Sequence, residues 1–115
     1  MASIGTDIEQ ISRVEAALAR TPRLASRLFS DGERRYCDNQ ARPAQHYAAR
    51  FCAKEAFAKA MGVSLAWQEV EVVREDGPPT IVTHGEAADL LAGRPVRLSL
   101  SHAGDYATAV VLIED

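Results

Sequence analysis

Along residues 2–8, Ala-Ser-Ile-Gly-Thr-Asp-Ile, small or apolar positions alternate with polar ones, which predicts a short strand. Ser12 with Glu15 predicts a capping box and a helix through about Arg20. Thr21-Pro22 then supplies a second N-cap and a proline suited to a first helical position, so a new helix starts there. Ser30 and Glu33 repeat the capping-box signature ahead of a short helix near 31–38. The longest periodic stretch runs from Pro43 to Met61, with Gly62 as its stop. It is rich in alanine, which favours helix and lets another backbone or a ligand come close. Val70, Val72 and the 76–82 stretch read as two strands around a turn. Residues 85–91 form a short predicted helix ended by Gly93. Finally, 96–101 and 106–113 predict a hairpin around His102-Ala103-Gly104-Asp105. The pattern is that of one α+β domain over 1–115.

Composition narrows the class. The 115 residues suffice for one domain, since a single core usually holds roughly 100–200 residues. With 47% hydrophobic and 25% charged residues, the chain has the make-up of a soluble globular protein. A domain this small buries a limited share of its surface, so oligomerisation is an expected source of stability. No apolar run approaches the ~20 residues that span a bilayer, and the first residues lack a basic and apolar leader pattern. Cys37 and Cys52 form neither a CxxC nor a ligand cluster, and read as reduced, buried thiols in a cytoplasmic protein.

Net charge is −3, which argues against a dedicated nucleic-acid binder. Arginine nevertheless crowds the first third. Arg13, Arg20, Arg23 and Arg27 are spaced by seven, three and four, a stripe on one side of a continuous helix or bent across two. A solvated face is the ordinary reading; a docking surface for an acidic partner is the functional one.

Three further places hold polar residues that a simple core does not ask for. Asp7 lies at the end of the predicted first strand, flanked by Ile4 and Ile8, as a turn former or a functional carboxylate. Glu55 and Lys59 lie one helical turn apart, either as an exposed ion pair or as part of a magnesium–phosphate site. Magnesium takes oxygen ligands from one or two carboxylates with phosphate and water, and a nearby lysine can neutralise the remaining phosphate charge. Ser99 and Ser101 share one strand face by alternation, with Leu98 and Leu100 on the other and His102 at the hairpin tip. GxSxG, HExxH, GxxxxGK[ST] and GxGxxG are all absent.

Three segments together resemble the bacterial holo-acyl-carrier-protein synthases, in the 4′-phosphopantetheinyl transferase family. They are Ile4-Gly5-Thr6-Asp7-Ile8-Glu9 with Ile11 and Arg13; Arg50-Phe51-Cys52-Ala53-Lys54-Glu55-Ala56-Phe57-Ala58-Lys59-Ala60; and Leu98-Ser99-Leu100-Ser101-His102 with Tyr106-Ala107-Thr108-Ala109. They stand in the family's order and span nearly the whole chain. The resemblance implies an antiparallel sheet packed with a long central helix, in a homotrimer whose active sites lie across subunit interfaces. It implies transfer of phosphopantetheine from coenzyme A to a serine of apo acyl carrier protein, with 3′,5′-ADP leaving. By the same resemblance Asp7 and Glu55 bind Mg²⁺ and Lys59 contacts a coenzyme A phosphate. Arg50, Ser101 and His102 line the nucleotide and 3′-phosphate region, and Arg13, Arg20, Arg23 and Arg27 dock the acidic carrier protein. Glu55, directly or through water, is the base the resemblance offers for the serine. Ser3, Ala103 and a short 85–97 segment depart from the family's usual pattern. Two other classes compete: a non-catalytic carrier-protein binding module, and a small nucleic-acid binding domain.

Overall fold

The computed structural model describes residues 1–115. Its order is β1 (Ser3–Gln10), α1 (Ile11–Arg20), α2 (Leu24–Leu28), α3 (Asp31–Asp38), α4 (Pro43–Met61), a 3₁₀ turn (Trp67–Glu69), β2 (Val70–Val73), β3 (Thr80–Thr83), α5 (Gly85–Leu91), β4 (Val96–Ala103) and β5 (Tyr106–Ile113). β1, β5 and β4 make an antiparallel sheet in that order, and β2 and β3 a separate antiparallel pair. The α+β class follows, with α4 laid across one face of the larger sheet. No helix is long and apolar enough to cross a membrane.

Strand alternation decides what α4 meets. β5 turns Ala107, Ala109, Val111 and Ile113 inward, where they join Ala53, Ala56 and Phe57 of α4 in the main core. β1 reverses the usual logic. Gly5, Asp7 and Glu9 share one strand face, and Gly5 from that face lies against Ala56 and Ala60 of α4; Ile4 and Ile8 point outward, 66% and 61% exposed. Gly5 permits the approach, because a Cβ there would strike the Ala56 carbonyl and come within 2.7 Å of the Ala60 nitrogen. A smaller core of Phe29, Cys37 and Tyr47 holds α3 to α4. Both cysteines are free and buried, and burial pushes each thiol up to about 12, as expected of small inert hydrophobes.

Several predicted boundaries stand and others move. Ser30 and Glu33 form the capping box of α3, and Gly62 closes α4 in the left-handed conformation at φ 74. β1 runs on to Gln10, past the expected end at residue 8. The Ser12–Glu15 capping box does not form: Gln10 is the N-cap of α1, and the Ser12 hydroxyl donates to Asp105 Oδ2 at 2.6 Å instead. Thr21-Pro22 does break the helix, but Thr21 caps the end of α1 and α2 starts later, after Arg23. The hairpin turn shrinks to Gly104-Asp105, with Gly104 at φ 57 in the position that favours glycine. His102 and Ala103 are strand residues, because pairing with Ala107 and Tyr106 continues through them.

Candidate active site

Asp7, Glu9, Glu55 and Lys59 meet where β1 crosses α4. The Asp7 side chain is 9% exposed, and its Oδ1 accepts from Lys59 Nζ at 3.2 Å. The same ammonium donates to the Thr6 carbonyl at 3.0 Å. Lys59 is thereby paired across the strand–helix contact; the intrahelical Glu55–Lys59 ion pair is absent from the salt bridges. Asp7 Oδ2 is buried without a hydrogen-bond partner. Burial and the Asp7 carboxylate hold Glu55 above its ordinary value, with Lys59 opposing. Glu9 is driven from 4.5 to about 7 by burial, by the adjoining Asp7 carboxylate and by the charge of Glu55. Asp7 and Glu55 therefore share one lysine, Glu9 is opposed only by Arg13, and the cluster is short of positive charge.

Glu55 and Lys59 also border a cavity of about 430 Å³, whose other wall includes Ser64, Leu65, Trp67 and Val70. Lys54 lines it from below. The residue is 2% exposed and its ammonium donates to Glu33 Oε1 at 2.8 Å, to the Trp67 carbonyl at 2.9 Å and to the Val70 carbonyl at 2.5 Å. Burial pulls the Lys54 pKa down while the Glu33 charge pulls it back up.

Arg50, Ser101 and His102 come together elsewhere, at a second cavity of about 250 Å³ that also takes in Gln45, His46 and Arg74. The Arg50 guanidinium stacks 4.1 Å over the Tyr36 ring and leaves its Nε buried and unpaired. His102 Nε2 lies 3.2 Å from Gln45 Nε2 of α4. Ser101 borders this cavity as well, although by strand alternation it lies on the face opposite His102, where it is paired with Thr108. Burial and the nearby charges of Arg50, His102 and Arg74 lower the His46 pKa, the mark of a cationic pocket. Arg50 and Lys59 are nine positions apart on one helix, about 13 Å along its axis, so the two cavities are distinct on a single chain.

All four stripe arginines are exposed. Arg13 rims an apolar groove of about 170 Å³ formed by Leu18, Leu24, Leu28 and Phe51, with Glu9 at its other edge. Arg20, Arg23 and Arg27 follow the bend from α1 into α2 and do not line the groove. Sequence reasoning passed over Glu9, His46 and Arg74. Glu9 shares the Asp7 face by period-two alternation, and His46 stands one turn before Arg50, so both had a signal. Arg74 comes in from the β2–β3 connection and had none.

The chain belongs to the 4′-phosphopantetheinyl transferase superfamily, whose family model matches residues 3–111. Within it, the chain stands among the holo-[acyl-carrier-protein] synthases. The synthase of Moorella thermoacetica is 43% identical over 121 residues, covering 99% of this chain and 94% of the relative. That of Geobacter metallireducens is 44% identical, covering 96% and 94%. Among solved structures, the Chronobacterium ammoniagenes ACPS–CoA complex superposes with a TM-score of 0.86 at 31% identity, over 98% of this chain and 96% of that one. A Bacillus anthracis holo-(acyl-carrier-protein) synthase in complex with CoA (3′,5′-ADP) gives 0.80 at 30% identity, over 96% and 94%.

Proposed function

We propose that this chain transfers the 4′-phosphopantetheine group of coenzyme A to a serine hydroxyl of apo acyl carrier protein, releasing 3′,5′-ADP. The observation that carries the reading is that Glu55 and Lys59 border one cavity while Lys59 reaches across to the buried Asp7 carboxylate, in a chain of this family. Asp7 and Glu55 suit Mg²⁺: the unpartnered Asp7 Oδ2 and the raised Glu55 mark a place that gains from a cation. No three potential ligands form a closed metal cage. Magnesium asks for only one or two carboxylates when phosphate oxygens and water complete its octahedron. When bound, it supplies neutralisation of the diphosphate and of the charge that develops on the leaving group.

The chain's own residues do the rest. Lys59, more than half exposed, holds a phosphate oxygen as a point cation. The serine oxygen bonds to the β-phosphorus as the bond to the bridging oxygen breaks, and Glu55 takes the serine proton directly or through water. Arg50 and His102, with the unpaired Arg50 Nε, hold the 3′-phosphate, and Ser101 borders the nucleotide.

One coenzyme A uses the first cavity of one subunit and the second cavity of its neighbour in a homotrimer. Support comes from the outer sheet face. Ile4, Ile8, Tyr106 and Val110 are exposed there, on the side of the sheet away from α4. The acidic carrier protein docks along Arg13, Arg20, Arg23 and Arg27, with the groove beside Arg13 taking an apolar side chain of the carrier helix. The free thiols fit a reducing cytoplasm. The 1–115 span acts as one domain.

Intact-mass analysis of apo carrier protein incubated with this chain, coenzyme A and magnesium tests the reaction. The expected result is a gain of one phosphopantetheine that EDTA abolishes. No gain with several carrier proteins, from a folded chain, would favour the non-catalytic binding module. Charge reversal of Arg13 and Arg20 together is expected to raise the carrier-protein KM about tenfold at low salt. That effect shrinks as salt screens the wild type, with kcat nearly unchanged. A KM and salt dependence equal to wild type would end the docking assignment.

The carboxylate cluster also gives a pH signature. Because Glu9 binds its proton more tightly folded than unfolded, the folded chain loses stability from this group as pH rises from about 4.5 to about 7. Metal-free protein is expected to show this decline in Tm, and magnesium to reverse it at pH 8. A Tm at pH 8 that magnesium leaves unmoved would argue against metal at Asp7 and Glu55.

A further inference from the structure

We propose that Glu33 and Lys54 are a positioning pair for coenzyme A, fixing the 64–70 wall of the first cavity relative to Glu55 and Lys59. This rests on the transferase reading above.

The pair lies on no exposed surface and touches neither metal-binding carboxylate. Its hydrogen-bonding capacity is used in full on one side: all three Lys54 protons are donated, to Glu33, Trp67 and Val70. Glu33 Oε1 also accepts from the Ser30 amide at 2.8 Å, and Oε2 accepts from the Val72 amide at 2.8 Å. Four elements thus converge on two side chains: the start of α3, the middle of α4, the 3₁₀ turn and β2.

A buried ion pair rarely stabilises a fold more than apolar side chains of the same size, because both charges lose their hydration. Stability alone therefore explains this pair poorly. What an apolar pair cannot do is grip two main-chain carbonyls. Trp67, which opens the 3₁₀ turn, and Val70, which follows it, have their carbonyls held by Lys54 and line the cavity together with Glu55 and Lys59. Lys54 also directly precedes Glu55 on α4, so an anchored Lys54 sets the helix rotation that aims Glu55. The Phe51–Trp67 ring contact, 5.2 Å between centroids, packs the same turn but gives it no fixed polar register.

Steady-state kinetics of two variants decide the matter. Glu33→Asp keeps both charges and shortens the reach by one methylene. The double variant Glu33→Gln/Lys54→Met removes both charges at similar volume, leaving no buried ion unpaired. In both, the KM for coenzyme A is expected to rise about tenfold, with the carrier-protein KM within about twofold of wild type. A lower Tm with both KM values unchanged, in variants that fold, overturns the positioning role and leaves the transferase reading intact. A wild-type chain that transfers nothing fails earlier and differently, taking the transferase reading with it.

Discussion

Asp7→Asn is expected to lower phosphopantetheine transfer by about a thousandfold while leaving the metal-free protein at least as stable as wild type above pH 7. The two halves of this expectation share one cause. Asp7 is the carboxylate whose charge raises both Glu9 and Glu55. Its Oδ2 has no partner within the chain, so the site is built at a cost that folding alone does not recover. An amide at that position keeps the shape, relieves the repulsion and removes a carboxylate proposed above as a magnesium ligand. Activity and metal-free stability should therefore move in opposite directions, and magnesium should lose its effect on Tm. The measurement is a pair of melting curves with and without magnesium at pH 8, beside the mass-shift assay. If the variant melts well below wild type and magnesium still raises its Tm, Asp7 is a structural acid and the metal lies elsewhere.

Much of this arrangement is legible in the sequence because its elements end on local signals. The α3 capping box and the left-handed Gly62 use residues within one turn of each other, so their chemistry is visible without a fold. The failed Ser12 cap shows the converse. Its hydroxyl is taken by Asp105, 93 positions away, and a tertiary bond outcompetes a local one. Lys54 is misleading for the same reason. Beside Glu55 and Lys59 it looks like one more surface charge on a helix, yet its partner Glu33 is 21 positions earlier and both are buried. The family motifs identified Asp7, Glu55 and Lys59 as a set. Only the crossing of β1 over α4 puts Lys59 on Asp7 instead of on Glu55, one helical turn away.

The same crossing makes Gly5→Ala the most damaging small substitution expected outside the charged residues. A Cβ at Gly5 would overlap the Ala56 carbonyl and sit 2.7 Å from the Ala60 nitrogen. Both are backbone atoms of α4, so no side-chain rotation can make room and the strand must lift from the helix. Overpacking of this kind costs about 3 kcal/mol. For a domain of this size that corresponds to a fall in Tm of about 10–15 °C. The lift falls between Gly5 and Ala56, which are two residues and one residue from Asp7 and Glu55. Transfer measured well below the new Tm should still drop about a hundredfold, since ångström-scale misplacement of reacting groups has effects of that order. Gly62→Ala is the control: φ is 74 there, but nothing lies within 4 Å of a Cβ, so it pays only left-handed strain of about 1–2 kcal/mol. A loss at Gly5 no larger than at Gly62 would mean that the strand–helix contact takes up a methyl group easily, because Gly5 itself has ordinary strand backbone with no left-handed strain. A larger loss at Gly5, with activity falling in the folded protein, would tie the work of Asp7 and Glu55 to the spacing between β1 and α4.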